Sequence, residues 1–174
     1  IIVSKLTLGK DIRNYGSGNA CLTNAYRTMG AKKTLLVLLG DIAKGAAAVS
    51  IGMVLAGPVG KLTAGIFVIL GHMFPLYFGF KGGKAVATSI GVLIPLAFWQ
   101  LLIAVCICLF LIWRSGFVSL GSLALVTAMP ILLALSGKFG LLPLSLIILA
   151  LVFWSHRENI RRLAKGEEKT WIKK

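Results

Sequence analysis

Between residues 86 and 113 the chain carries no charged residue. That run exceeds the roughly 20 helical residues that a bilayer's hydrocarbon core takes. Inside lipid, every backbone N–H and C=O must find its partner within the protein, so a bundle of helices is the simplest architecture. Three further apolar blocks repeat the pattern. Residues 35–55 are interrupted only by Asp41 and Lys44, residues 62–80 hold no charge and one His72, and residues 117–154 hold only Lys138. Hydrophobic residues make up 57% and charged residues 14%, against about 25% charged in a soluble domain. This excludes a soluble globular domain, a disordered chain and a collagen-like repeat. Three cysteines exclude a disulfide scaffold. The expectation is an all-α integral membrane protein, one domain over residues 1–174.

Charge sets the orientation. The net charge is +14, from 19 basic residues and five acids. Six bases lie between Lys5 and Lys33, and seven between Arg157 and Lys174. Bases flanking apolar spans mark cytoplasmic loops and face anionic lipid. Short basic loops beside apolar helices argue against nucleic acid as a partner. The block 117–154 is too long for one span and breaks at Ser136-Gly137-Lys138, giving 117–135 and 139–154. That makes five spans, yet two basic ends on one side need an even number. Pro95 inside 86–113 marks a place where two short helices could meet, which makes about six; alternatively, 117–154 does not cross twice. The chain opens Ile1-Ile2-Val3-Ser4-Lys5 without methionine and reads as the end of a helix, so a preceding span is expected.

Three polar segments remain. In the first, Gly16 and Gly18 flank Ser17, and glycines allow successive N–H groups to form an anion-binding nest. Ser17, Asn19, Thr23 and Asn24 add neutral donors, and Arg27 adds a charged fork. An ordinary Gly/Ser/Asn loop with a helix cap reads equally well. In the second, Gly82 and Gly83 between Lys81 and Lys84 imply close approach of backbone to a phosphate. The spacing is not that of a Walker A loop, and an interfacial turn with snorkelling lysines is the plain alternative. His72 there reads as a hydrogen-bonded packing residue. In the third, His156, Asn159 and Leu163 share one helix face, while Arg157 and Arg161 share another. A tail bound to lipid headgroups explains the arginines but not His156 and Asn159. Asp41 and Lys44 are three apart and can pair on a helix, as a structural ion pair or with a direct role. Ser119 alone reads as a helix-packing serine.

Taken together, these segments resemble the bacterial acyl-phosphate-dependent glycerol-3-phosphate acyltransferases of the PlsY type. The resemblance rests on Gly16-Ser17-Gly18-Asn19 with Thr23-Asn24, and on Asp41 with Lys44-Gly45. It continues through Gly71-His72-Met73-Phe74-Pro75 and Phe80-Lys81-Gly82-Gly83-Lys84 with Val86-Ala87-Thr88. Val118-Ser119-Leu120 and His156-Arg157-Glu158-Asn159-Ile160 complete it. It implies seven short transmembrane helices with the site at the cytoplasmic face, of which six would be present here. It implies a multi-pass protein of the bacterial inner (plasma) membrane acting in phospholipid biosynthesis. The implied reaction moves an acyl group from acyl phosphate to the 1-hydroxyl of sn-glycerol 3-phosphate, giving lysophosphatidic acid and phosphate. Ser17, Lys84, His156 and Asn159 would be catalytic. Gly18, Asn19, Thr23, Asn24, Arg27, Gly82 and Gly83 would bind phosphate, and Ser119 would bind substrate. No metal, cofactor or obligate protein partner is implied. The chain departs from the family at Cys21-Leu22, where Gly-Ala is usual, at Ala85, where Gly is usual, and at Ser155, often basic.

The residues themselves narrow the mechanism. No Ser-His-Asp constellation is evident, and no aspartate stands five residues after either histidine. A mixed anhydride is already activated, so positioning two anions and stabilising developing charge can suffice. Direct attack without an acyl-enzyme is the expectation, with the proton passing to His156 or to a substrate phosphate oxygen. The competing readings are a transporter or channel for an organic phosphate and a structural lipid-binding protein.

Overall fold

The computed structural model describes residues 1–171, and these are helical, with no strand among them. Six α-helices occur in the described residues: α1 (Ile2–Leu8), α2 (Leu22–Met73), α3 (Val86–Ser115), α4 (Val118–Leu135), α5 (Leu142–Ser155) and α6 (Arg157–Ala164). Three stretches are long and apolar enough to cross a membrane: the run from Leu22 to Phe78, α3 and α4. The bent pair of Phe139–Ser155 and α6, at 63°, passes the same test together. The chain forms two compact units, Ile1–Val92 and the part from Leu93 onward.

The first unit is built on α2, whose 52 residues are not one rod. A straight helix would hold Asp41 and His72 about 46 Å apart. Instead His72 Nδ1 lies 3.5 Å from Asp41 Oδ1. The chain reverses at Ala56 (φ −144°) and Gly57 (φ 59°), the latter a conformation that glycine adopts without steric cost. Pro58 then starts the returning arm, where a helix needs no N–H. The arms 31–55 and 58–73 touch through Gly52 and Gly60. A Cβ on either would collide with the carbonyl oxygen of the other. Helices in lipid associate by such close packing of small residues, because apolar burial gives them no drive there. These arms are the expected spans 35–55 and 62–80, with one difference. Residues 74–80 leave the helix, because Pro75 and the left-handed Gly79 (φ 65°) turn the chain at Leu76–Phe78.

The break expected near Pro95 is present. Pro95 lacks the N–H that would bond to residue 91, and α3 loses helical geometry at Ala97 (φ −153°, ψ 54°). The segment 86–96 rises about 16 Å, half of the about 30 Å hydrocarbon core. Its first turns lie against α2 in the first unit: a Cβ on Gly91 would strike the Ile42 carbonyl oxygen, and one on Gly45 would strike that of Thr88.

In the second unit, Gly116 (φ 77°) turns the chain from α3 into α4. Gly121 then sits against Ile112 and the Cys108 carbonyl. The expected break at 136–138 falls where Gly137 takes φ 69° and the Lys138 N–H caps the Leu133 carbonyl. Leu133, Leu144, Ile148 and Val152 are buried. By contrast Val54, Leu55 and Trp113 are 85%, 78% and 80% exposed, as side chains facing lipid are.

Replacing Gly91 with valine should cost about 1–3 kcal/mol through overpacking. Gly40, whose Cβ would meet nothing within 4 Å, should accept alanine without loss. Thermal denaturation of both variants in detergent checks the contrast.

Candidate active site

The first polar segment is held by one side chain. Asn24 is fully buried. Its Nδ2 donates to the carbonyls of Ile12 (3.1 Å), Tyr15 (3.0 Å) and Asn19 (2.9 Å). Its Oδ1 accepts the Ser17 N–H at 2.9 Å. Gly16 (φ 62°) lies so near that a Cβ there would overlap Asn24 Oδ1. The Gly18 N–H (φ 73°) donates to Tyr15 O. Gly16 and Gly18 thus let the loop wrap Asn24, and Asn24 shapes the loop with its amide. The N–H groups of Ser17 and Gly18 are committed internally, so the loop is not a nest of open donors at those two positions. Asn19 and the exposed Arg27 lie on the same loop and the first turns of α2. Thr23 Oγ1 sits 3.2 Å from Cys21 Sγ, which occupies the N-cap.

A second clamp, not foreseen from the sequence, is Asp11 with Arg13. Arg13 donates from Nε (3.0 Å) and Nη2 (2.7 Å) to the Asp11 carboxylate. Its Nη1 donates to the carbonyls of Phe78 and Lys81. The hydrogen-bonded guanidinium holds the Asp11 carboxyl well below the usual carboxylate range. Arg13 therefore ties the first polar segment to the second. Only the i, i+2 spacing of opposite charges hinted at it.

The second segment closes on itself. The Gly82 N–H donates to Met73 O (3.0 Å) and the Gly83 N–H to His72 O (3.2 Å). Cβ atoms would collide with the His72 carbonyl at Gly82, and with the His72 ring and Ala20 carbonyl at Gly83. These glycines serve close packing of backbone on backbone. Both N–H groups are already bonded, so these two positions offer no open backbone donors. Lys84 follows directly and is half-buried. Ala85 takes φ 62° while buried, a backbone conformation that glycine adopts without steric cost. Thr88 and Ser89, in the first turn of α3, bury hydroxyls that have no hydrogen-bond partner among the described residues. They are polar groups that the sequence reading left without a role.

In the second unit, Ser119 and Asn159 meet at one oxygen. Glu168 Oε1 accepts from Ser119 Oγ (2.8 Å) and from Asn159 Nδ2, and Oε2 accepts from Arg162 Nε (2.7 Å). Burial raises the Glu168 carboxyl, but the bonds from Asn159, Ser119 and Arg162 outweigh it and hold it below its ordinary value. The tail is also pinned by the Trp171 N–H on the Gly116 carbonyl. The sequence placed Glu168 in the third polar segment but gave it no role. The signal was two acids, Glu167 and Glu168, inside a basic tail. His156 stands at the bend between α5 and α6 and is buried. Its Nδ1 lies 2.9 Å from Val152 O and 3.2 Å from Ser155 Oγ. A carbonyl only accepts, so Nδ1 carries the hydrogen and Nε2 is the basic nitrogen.

Apolar helices long enough to cross a membrane, joined by polar segments that close through their own hydrogen bonds, define an integral membrane protein. The profile of the glycerol-3-phosphate acyltransferases matches residues 1–166. The chain is 54% identical to a glycerol-3-phosphate acyltransferase of Lawsonia intracellularis over 98% of this chain and 87% of that protein. It is 49% identical to one of Desulfovibrio desulfuricans over 99% and 78%. Among solved structures it is similar to PlsY (YgiH), an integral membrane glycerol 3-phosphate acyltransferase, in its glycerol 3-phosphate form, with TM-score 0.92 and 35% identity. That match covers 97% of this chain and 86% of the other. The lysophosphatidic acid form gives TM-score 0.88 and 32% identity over the same shares. The chain belongs to the glycerol-3-phosphate acyltransferase family.

Two outcomes follow. Ala85→Gly relieves about 1–2 kcal/mol of left-handed strain and adds about 0.4–1 kcal/mol of unfolded-state entropy. Strain relief equals or exceeds the entropy loss, and detergent melts should show a net gain between about 0 and 1.6 kcal/mol. For Glu168, a depressed folded pKa means the tail's contribution is full above the ordinary value of 4.5. It is lost as pH falls from there through the lower folded value. Limited proteolysis should cleave the chain after Ala164 readily at low pH, and at pH 7 only in Glu168→Ala.

Proposed function

We propose that the chain transfers a fatty acyl group from acyl phosphate to the 1-hydroxyl of sn-glycerol 3-phosphate, releasing lysophosphatidic acid and phosphate. Family membership supports an acyltransferase with this acceptor. The acyl-phosphate donor is what the resemblance to the PlsY type implies, and the residue chemistry is compatible with it. A phosphate leaving group needs cations and neutral donors more than covalent catalysis. The observation that carries the reading is the family match over residues 1–166; the anchored polar segments of the first unit and, in the second, a buried histidine whose basic nitrogen is defined support it. Ser17, Asn19, Thr23 and the polar end of Gly18's loop cradle a phosphoryl group, with Arg27 and Lys84 as countercharge. Asn24 acts through the loop it holds, and Gly82 and Gly83 act through the turn that they pack. Thr88 and Ser89 join the candidate donors, because their buried hydroxyls would gain a partner from a bound anion.

His156, Ser119 and Asn159 handle the acceptor. The hydroxyl oxygen attacks the acyl carbonyl carbon. A carbon–oxygen bond forms, the bond from that carbon to the phosphate oxygen breaks, and phosphate leaves. The hydroxyl proton passes to His156 Nε2 or to a phosphate oxygen. Glu168 orients Ser119 and Asn159 by taking a hydrogen bond from each. The positive-inside bias supports a location in the bacterial inner membrane with the basic loops cytoplasmic.

Phosphate release by purified protein in micelles or liposomes tests this. Acyl phosphate with glycerol 3-phosphate should give acceptor-dependent release, and acyl-CoA should give none. Lys84→Ala should lower kcat/KM by about ten- to a hundredfold, since a charged phosphate contact is worth about 1.5–3 kcal/mol. Turnover from acyl-CoA alone overturns the donor assignment. No turnover with either donor turns attention to transport of an organic phosphate.

A further inference from the structure

The first unit contains an ionisable cluster that the proposed reaction does not use. Lys44 Nζ hydrogen-bonds Asp41 Oδ1 and lies 2.6 Å from His72 Nδ1. His72 Nδ1 is 3.5 Å from the same Asp41 oxygen. The side chains of Asp41 and His72 are 17% and 11% exposed, that of Lys44 39%. An ammonium only donates, so His72 Nδ1 accepts and the ring hydrogen sits on Nε2. That nitrogen faces the backbone of Gly83, where a Cβ would overlap it. The His72 carbonyl also accepts the Gly83 N–H. One turn of α2 away, Gly45 and Ile42 lie against the backbone of residues 88–92. Residues 41–45 thus grip the chain on both sides of Gly82-Gly83-Lys84: before it through His72, after it through the start of α3.

We propose that Asp41, Lys44 and His72 are positioning residues that fix the turn carrying Lys84, by holding the His72 ring in one tautomer and orientation beneath Gly83. Two features single this cluster out from an ordinary intramembrane ion pair. A lone Asp41–Lys44 pair would neutralise itself without a third partner. Here Lys44 makes its second contact to a ring that the glycine turn is shaped around. Substituting Lys44 leaves the Asp41 charge without its partner and frees the ring to rotate, so the effect is expected at residues 82–84 rather than throughout the fold. The inference rests on the reading of Lys84 as a phosphate contact.

The experiment pairs kinetics with site-resolved hydrogen exchange in the whole chain, in micelles. In Lys44→Met, the Gly82 and Gly83 amides should exchange at least tenfold faster, while those of residues 16–19 keep their rates. Lys44→Arg should restore most of the protection. Turnover of acyl phosphate with glycerol 3-phosphate should fall at least tenfold in kcat for Lys44→Met. In a Lys84→Ala background the same change should cost less than twofold. His72→Phe, which keeps a ring under Gly83 and removes both nitrogens, should match Lys44→Met and serves where that variant does not fold. Unchanged exchange at Gly82 and Gly83 overturns the proposal. So do multiplying losses in the double variant, or a rise in KM alone, which marks Lys44 as a direct ligand. If the unaltered chain does not turn over acyl phosphate, the functional reading fails. The exchange arm still decides whether the cluster holds the turn.

Discussion

The reversal of α2 at Ala56–Gly57 is the constraint on which the first unit depends. It converts a separation of about 46 Å along a straight helix between Asp41 and His72 into direct contact. Lipid offers no water to satisfy an open loop. The turn therefore uses a left-handed glycine and a proline that needs no donor, and the arms close through Gly52 and Gly60. Once the arms are antiparallel, the second polar segment must return to the end at which the first one starts. Arg13 can then reach the carbonyls of Phe78 and Lys81.

The polar segments are closed by their own hydrogen bonds. Two are organised by one side chain that makes several hydrogen bonds, Asn24 for residues 12–19 and Glu168 for Ser119, Asn159 and Arg162, while at residues 82–83 the backbone carbonyls of Met73 and His72 accept the glycine N–H groups. Low dielectric makes each such bond stronger and each omission more costly. The two histidines illustrate how placement decides chemistry. His72 accepts at Nδ1 from an ammonium, so that ring is a prop. His156 donates at Nδ1 to a carbonyl, so its Nε2 is left basic.

Much of this was legible from composition. The apolar blocks located the long helices, although residues 74–80 leave the expected span; Pro95 marked the bend at Ala97, and Ser136-Gly137-Lys138 marked the turn into α5. The Asp41–Lys44 pair followed from helical spacing. What stayed hidden were contacts between positions far apart in sequence. Nothing local announces that Arg13 bonds residues 78 and 81, that His72 completes the Asp41–Lys44 pair, or that a tail glutamate gathers Ser119 and Asn159. At Gly82 and Gly83 close approach is to the protein's own backbone, and spacing alone does not tell self-packing from ligand-packing.

The central claim is direct transfer between two bound phosphorylated molecules, with the protein supplying position and charge. Incubation with acyl phosphate labelled in its acyl group, followed by an acid quench and separation of lipid from protein, tests it most directly. The account predicts that label appears in lysophosphatidic acid only when glycerol 3-phosphate is present, and that none stays on the protein at any time. Label retained on the quenched protein, and chased from it by glycerol 3-phosphate, would contradict it.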